Sequence, residues 1–310
     1  MKAVETSFAA QPPTVSVVMP VYNCRRYLAA AVDSILAQTY RDFEFIAVDD
    51  GSSDGSTDLL RETAARDARM KVISRPNTGI VGALNDGLAS ARGKYVARMD
   101  GDDIAKPQRF ETQVNYLDAH PEVLVVGAWV ETIDPFGIVF GQDRRPTEHD
   151  EIDAGLLKGR GGSIVHPAAM IRRDAIEQVG GYRRPFQDSE DLDLWLRLAE
   201  IGKVANLPEV LLSYRRHLQS TNFTRHENQL RVKEQIVAEA YERRGLAKPS
   251  TWRFDVWHPK PVVEQLRDWG WSALRMGQPA AARKYACDVW RRAPLSGDSY
   301  RLMFCALRGH

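Results

Sequence analysis

Cysteine is nearly missing from this 310-residue chain, with Cys24, Cys287 and Cys305 the whole supply. Three scattered thiols build neither a disulfide framework nor a zinc site, so a reducing cytosol is expected and no metal on sulfur. Long apolar runs are missing too. No stretch approaches the roughly 18 apolar residues that a bilayer-crossing helix needs, which leaves peripheral contact as the only membrane association to expect. Nor does charge of one sign dominate, since 42 basic residues face 41 acidic ones. Without a global field nothing points to nucleic acid, and partners must be read from local clusters. Met1 to Pro13 lacks the basic start and apolar block of a secretory signal and is expected to be a mobile lead-in.

What the chain has is an acidic strand end. The run from Tyr95 to Met99 leads straight into Asp100, Asp102 and Asp103, with Gly101 between. Carboxylates this close repel one another unless they share a cation. Mg2+ and Mn2+ take oxygen ligands and are commonly completed by substrate phosphates, so the triplet suggests a metal plus a diphosphate. A solvated acidic turn or a helix N-cap would use the same residues.

The elements around it alternate. Val15 to Met19 and Phe43 to Val48 are short apolar runs closed by Pro20 and by Asp49-Asp50-Gly51, and both read as buried strands. Leu28, Val32, Ile35 and Leu36 between them form one helical stripe. A second helix follows Asp54-Gly-Ser-Thr57, then come a strand at Lys71 to Ser74, a helix at Ile80 to Ala91 and the strand Tyr95 to Met99. This order predicts an α/β fold with a mostly parallel central sheet flanked by helices and ligands at the carboxyl ends of the strands. Pro20-Val-Tyr22, Asp49-Asp50, Arg75-Pro-Asn77 and Asp100-Gly-Asp102-Asp103 each follow a strand, so four segments should converge on one cleft.

Beyond Pro121 the pattern changes to strands around Val123 to Val130 and Ile138 to Phe140, a Gly-rich basic stretch before His166-Pro167, and a helix starting near Ser189. From Arg225 the chain reads as helical, with Ile236, Val237 and Ala240 on one face. Val262 to Leu307 reads as a helical hairpin packed by Trp269, Trp271, Ala281, Tyr285 and Trp290. The expected division is a lead-in 1–13, a catalytic unit 14–224 with a nucleotide-binding half 14–120 and an acceptor half 121–224, and a helical accessory region 225–310.

Taken singly, the strand-end residues allow bland readings. Asp49 and Asp50 can accept from a base or ribose, or close a turn. Tyr22 can stack on a base or simply pack. Glu190 and Asp191 suit a general base or a helix N-terminus. Arg215-Arg216, Arg243-Arg244 and Arg291-Arg292 can be solvated helix faces or lipid-phosphate contacts.

Together they resemble family 2 glycosyltransferases of the A-type nucleotide-sugar fold. The resemblance is carried by Val15-Ser-Val-Val-Met-Pro-Val-Tyr-Asn23, Ile35-Leu-Ala-Gln-Thr-Tyr-Arg-Asp-Phe-Glu44, Val48-Asp-Asp-Gly-Ser-Ser-Asp-Gly-Ser56, Asn77-Thr-Gly-Ile80, Met99-Asp-Gly-Asp-Asp103, His166-Pro167 and Ser189-Glu-Asp-Leu-Asp-Leu-Trp195. It implies an inverting enzyme with a Rossmann-like nucleotide-binding half. By the same resemblance Pro20, Tyr22 and Asp50 hold the nucleotide with Asp49 beside them, and Arg75 and Asn77 lie near nucleotide or sugar. Asp100 and Asp102 match the DxD motif that binds Mn2+ or Mg2+, Asp103 supports it, and His217 is a further metal or diphosphate candidate. Glu190-Asp191 matches the pair whose Asp is the catalytic base, although Asp188 and Asp193 put further acids beside it.

The expected partners are a nucleoside-diphosphate sugar, uridine-linked by default, and a glycan or lipid-linked acceptor. A contact with the inner membrane face and a second copy docked through the C-terminal helices complete the expectation. The Gln-x-x-Arg-Trp signature of processive synthases is absent, which favours addition of single sugars. A sugar-phosphate nucleotidyltransferase would need a Gly-rich basic loop after the first strand, and Pro20-Val-Tyr-Asn-Cys-Arg25 lacks one. A non-catalytic nucleotide-sugar-binding protein would require the acids to be structurally satisfied.

Overall fold

β-branched runs and one helical stripe define the first layer. In the computed structural model, which describes residues 11–187, 189–218, 226–251, 254 and 260–309, strands β1 (Val15–Val21) and β2 (Phe43–Asp49) pair in parallel, Val15 beside Phe43 and Val21 beside Asp49. Residues 1–10 of the expected lead-in and Asp188 lie outside the described residues. Helix α1 (Arg25–Leu36) covers the pair with Leu28, Val32 and Ile35, all essentially fully buried. Such side chains contribute about 1.5–3 kcal/mol each. Helices α2 (Ser56–Ala64) and α3 (Ile80–Ser90) alternate with β3 (Met70–Ser74) and β4 (Tyr95–Arg98) as the sequence pattern predicts.

The sheet order is β3-β2-β1-β4-β8-β6-β9-β5, with β7 added to β6. Its first four strands are parallel, so their carboxyl ends lie along one edge. The other half is mixed. It comprises β5 (Ile104–Ala105), β6 (Val123–Ile133), β7 (Val139–Asp143), β8 (Met170–Arg172) and β9 (Lys203–Arg215). β9 escaped the sequence reading because Pro208 and Glu209 interrupt it. Leu207 pairs with Ala128 and Val210 with Trp129, so those two residues bulge out of the ladder, and Pro208 has no N–H to offer it.

Helix α4 (Arg109–Ala119) follows the acidic loop, α5 (His149–Leu156) and α6 (Arg173–Gln178) flank the Gly-rich stretch, and α7 (Glu190–Ala199) starts where Ser189 predicted. The helix His226–Arg243 buries Ile236, Val237 and Ala240 in the same apolar cluster as Leu192, Trp195 and Leu196 of α7.

The expected C-terminal hairpin is instead three helices, Val262–Arg275, Pro279–Arg292 and Gly297–Arg308. The sequence reading passed over Pro294 and Ser296-Gly297 as a second break. Trp269 and Tyr285 meet edge to face at 5.8 Å, and Phe140 of β7 packs on Trp269 at 6.0 Å. Trp290 is 43% exposed and takes no part in the core expected of it.

One buried polar contact joins this bundle to the sheet. Asp134, 1% exposed, accepts the backbone N–H groups of Phe136 and Ile138 and the Tyr285 hydroxyl, each at 2.8 Å. Tyr285→Phe keeps the ring but strips one carboxylate oxygen of its donor, a loss of about 1–3 kcal/mol. A urea midpoint unchanged from wild type would show that the bond contributes nothing.

Candidate functional site

The acidic loop is fixed from behind by the strand the sequence hid. β5 pairs with β9, Ile104 beside Ser213, which sets Arg215 against the loop. Arg215 donates its backbone N–H to Asp103 Oδ1 at 2.7 Å, Nε–H to the Asp102 carbonyl at 2.7 Å, and Nη1–H to the Asp134 carbonyl at 2.8 Å. Two residues on, His217 Nε2 lies 2.9 Å from Asp102 Oδ2. Arg98, also buried, forms an ion pair with Asp100. Buried Arg109 braces the strand end by donating to the Arg98 and Ala169 carbonyls at 2.8 and 3.1 Å, while burial pulls its pKa down to about 9.

Asp100, Asp102 and Asp103 each offer an oxygen within 4.8 Å of the others. Burial pushes the Asp100 carboxyl up against the opposing pull of Arg98, and Asp102 reinforces the rise. Asp103 is driven well above the usual range by burial and by both neighbouring acids, and its Oδ2 is buried without a hydrogen-bond partner. Mutually repelling carboxylates and an orphaned oxygen fit a hard divalent cation.

At the end of β2, the two aspartates take different places. Asp49 turns into its own loop, accepting from Ser52 N–H at 3.1 Å and the Thr57 hydroxyl at 2.6 Å. Asp50 accepts the N–H groups of Thr78 and Gly79 at 3.1 and 2.9 Å, and Arg75 Nε stands 3.3 Å away. Arg75 also reaches Asp86 at 2.8 Å. The loops press close together at Gly51, where φ is +78° and a Cβ would sit 2.9 Å from the Asn77 nitrogen, so only glycine fits. Asn23, also in the left-handed region at φ +50°, accepts from Ser53 N–H at 2.8 Å and ties the β1 loop to the β2 loop.

The other wall comes from the first turn of α7. Asp191 Oδ1 accepts the Leu192 N–H at 2.7 Å, and the absent side chain of Gly161 leaves room beside it, since a Cβ there would lie 3.4 Å from Asp191 Oδ2. Burial raises the Asp191 carboxyl, while the Leu192 N–H and Lys233 pull it back. Glu190 is raised well above the usual range by burial and by Asp191. His166 Nε2 lies 2.7 Å from the Tyr182 hydroxyl and Nδ1 lies 4.0 Å from Glu190. Burial, with Arg98 nearby, holds that imidazole neutral. Asp193, the neighbouring acid, is fully buried between Arg183 and Arg197 and faces no opening.

A cleft of about 830 Å³ gathers these walls. Pro20, Tyr22, Asp50, Asn77, Asp100, Asp102, Glu190, Asp191 and His217 all line it, whereas Asp49, Arg75 and Asp103 stand behind its surface. Arg98 lines it too, paired with Asp100 and within electrostatic reach of Glu190, and was missed in the sequence, where its signal was a charged residue inside a buried strand run. Arg216, from a pair the sequence did single out, also lines it, and Arg145 and Lys233 add cations that no motif announced.

An α/β sheet whose strand ends gather acidic loops around one cleft has the architecture of an A-type glycosyltransferase. The chain belongs to glycosyl transferase family 2, whose model matches residues 16–180. The O-antigen biosynthesis glycosyltransferase WbnJ of Escherichia coli is 34% identical over 211 residues, covering 67% of this chain and 81% of that protein. Among solved structures, S. aureus TarS 1–349 in complex with UDP-GlcNAc shares the fold with a TM-score of 0.60 at 17% identity, over 96% of this chain and 92% of that one. Mannosyltransferase PcManGT from Pyrobaculum calidifontis, in complex with GDP-Man and Mn2+, gives a TM-score of 0.55 at 18% identity over 96% and 81%. The protein is thus a glycosyltransferase, and no described helix is long and apolar enough to cross a membrane.

Proposed function

We propose that the cleft binds a nucleoside-diphosphate sugar with a divalent cation and transfers the sugar, with inversion, to a hydroxyl of a glycan or lipid-linked acceptor in polysaccharide or glycolipid assembly, at the cytoplasmic face of a membrane. The observation that supports this most is the gathering of two acid sets in one cleft, Asp100 and Asp102 from the acidic loop and Glu190 and Asp191 from the first turn of α7, with Arg98 paired to Asp100 and within electrostatic reach of Glu190. Residues 14–120 then serve the donor and 121–224 the acceptor, with 225–310 accessory. WbnJ is named for O-antigen biosynthesis, which favours a polysaccharide product.

Asp100 and Asp102, with His217, would hold Mn2+ or Mg2+, which neutralises the leaving diphosphate. Asp191 takes the proton of the attacking hydroxyl as the new glycosidic bond forms and the anomeric C–O bond to the diphosphate breaks. Glu190 orients the acceptor or its neighbour. Tyr22, 55% exposed at the cleft edge, offers a face for the base, and Pro20 and Asn77 bound the same end. Asp49 and Arg75 act one layer out, through the loops they brace. TarS holds UDP-GlcNAc and PcManGT holds GDP-Man, and uridine is proposed here on the resemblance.

A panel of nucleoside-diphosphate sugars, each with and without Mn2+, tests this reading by thermal shift and donor hydrolysis. One uridine-linked sugar should raise the melting temperature only with the metal, and silence from the whole panel would sink the proposal. Asp50→Ala should weaken free nucleoside diphosphate by about 1.5–3 kcal/mol through lost charge-assisted hydrogen bonds. It should also loosen the Thr78–Gly79 turn, so both affinity and melting temperature fall. A collapse of turnover at unchanged nucleotide affinity would instead make Asp50 catalytic.

A further inference from the structure

The last helix is finished on its inner face and unfinished on its outer one. Ser299, Leu302 and Ala306 are buried in the C-terminal bundle. Tyr300, Phe304 and Leu307, spaced i, i+4 and i+7 on one side of the helix, are 56%, 58% and 65% exposed. Leu295 in the preceding turn is 95% exposed, and Trp290 one helix earlier is 43% exposed. A single exposed apolar side chain is ordinary, but five between positions 290 and 307 mark a surface built to be covered.

The charge around this stripe says what covers it. Of the arginines there, Arg291 is paired with Asp288 at 3.2 Å, and Asp298 is already held by Arg267 at 2.6 Å, which leaves Arg292, Arg301 and Arg308. Arg292, Arg301 and Arg308 have no carboxylate partner among the described residues. Arg308 lies over the Phe304 ring at 5.1 Å, so cation and apolar surface are adjacent. The other two arginine pairs singled out in the sequence are committed elsewhere. Arg215 is buried against the acidic loop, and Arg243 and Arg244 are bound to Glu200, Arg244 also to Asp153.

We infer that the outer face of Gly297–Arg308, with Trp290 and Leu295, docks on an anionic phospholipid surface. A 12-residue helix is too short to span a bilayer and lies in its interface, with aromatic and leucine side chains inserted and arginines at the headgroups. A second copy docked on the same face would bring two sets of arginines together, which like-charge repulsion disfavours. This inference goes beyond the catalytic reading and does not depend on the cleft's donor.

The test is sedimentation of the full chain with vesicles of phosphatidylcholine alone and of phosphatidylcholine mixed with phosphatidylglycerol. Binding should require the anionic lipid and weaken with added salt. Phe304→Ser with Leu307→Ser should lower vesicle affinity by at least about tenfold, from lost apolar insertion. Arg301→Gln with Arg308→Gln should lower it and flatten the salt dependence. Circular dichroism and the donor-induced thermal shift should match wild type in both variants, so a failed cleft reading would not be mistaken for a failed docking surface. Absence of binding to anionic vesicles, or binding indifferent to both double variants, would overturn the inference. So would a dimer in solution dispersed by Phe304→Ser with Leu307→Ser, since that face would then belong to a second copy.

Discussion

Asp191→Asn should lower turnover at saturating donor and acceptor by roughly a hundredfold or more while leaving donor affinity close to wild type, in line with general-base contributions of about 10² to 10⁴. The amide keeps the shape of the carboxylate, and its oxygen can still accept the Leu192 N–H that fixes the side chain. What it cannot do is take a proton near neutral pH. Among the described residues the neighbouring acids offer no ready substitute. Asp193 is locked between Arg183 and Arg197, and Glu190, raised well above the ordinary carboxylate range by burial and by Asp191, retains its proton to higher pH than an exposed glutamate does. Glu190→Gln should therefore cost less than Asp191→Asn.

The same assignment fixes the sign of a pH effect. A base works deprotonated, so the rate must fall as pH drops through its pKa. Burial raises the Asp191 carboxyl, which moves this acid limb above the pH at which an ordinary aspartate would produce it. The limb should vanish from the residual rate of Asp191→Asn. A nearly wild-type Asp191→Asn beside an inactive Glu190→Gln would move the base to Glu190.

The contrast between the two halves of the sheet explains what could be read from the sequence alone. β1 to β4 alternate with helices over short connections, so apolar periodicity and strand-end punctuation place Tyr22, Asp50, Asn77 and Asp100 at one edge without knowledge of tertiary contacts. The second half is assembled by pairings that sequence neighbours do not announce. Arg215 reaches the Asp102 carbonyl across 113 positions, on a strand disguised by Pro208. The motif around Asp49 and Asp50 showed two equivalent acids, whereas the backbone turns one into its own loop and the other toward the cleft. Arg98 and Arg109 carried too weak a signal, because a lone arginine in an apolar stretch acquires meaning only once burial supplies its partners.

Asp102→Ala should abolish metal-dependent donor binding, a loss exceeding the roughly 10–100-fold that changes outside the coordination sphere cost. The carboxylate removed is one of the two in this loop that line the cleft, whereas Asp103 stands behind it accepting from Arg215. His217 also loses its partner at 2.9 Å and gains freedom at the moment it should be held. Asp102→Asn should be nearly as damaging, since an amide supplies an oxygen without the charge that a hard divalent cation requires. Asp103→Ala should behave differently, releasing the Arg215 backbone and lowering the melting temperature before it lowers metal affinity. Calorimetry of donor binding with and without Mn2+ separates these outcomes. If Asp102→Ala binds donor in Mn2+ as tightly as wild type does, the cation does not depend on this carboxylate, and the other acids lining the cleft among the described residues, Asp50, Asp54, Asp100, Asp143, Glu190 and Asp191, become the candidates to test.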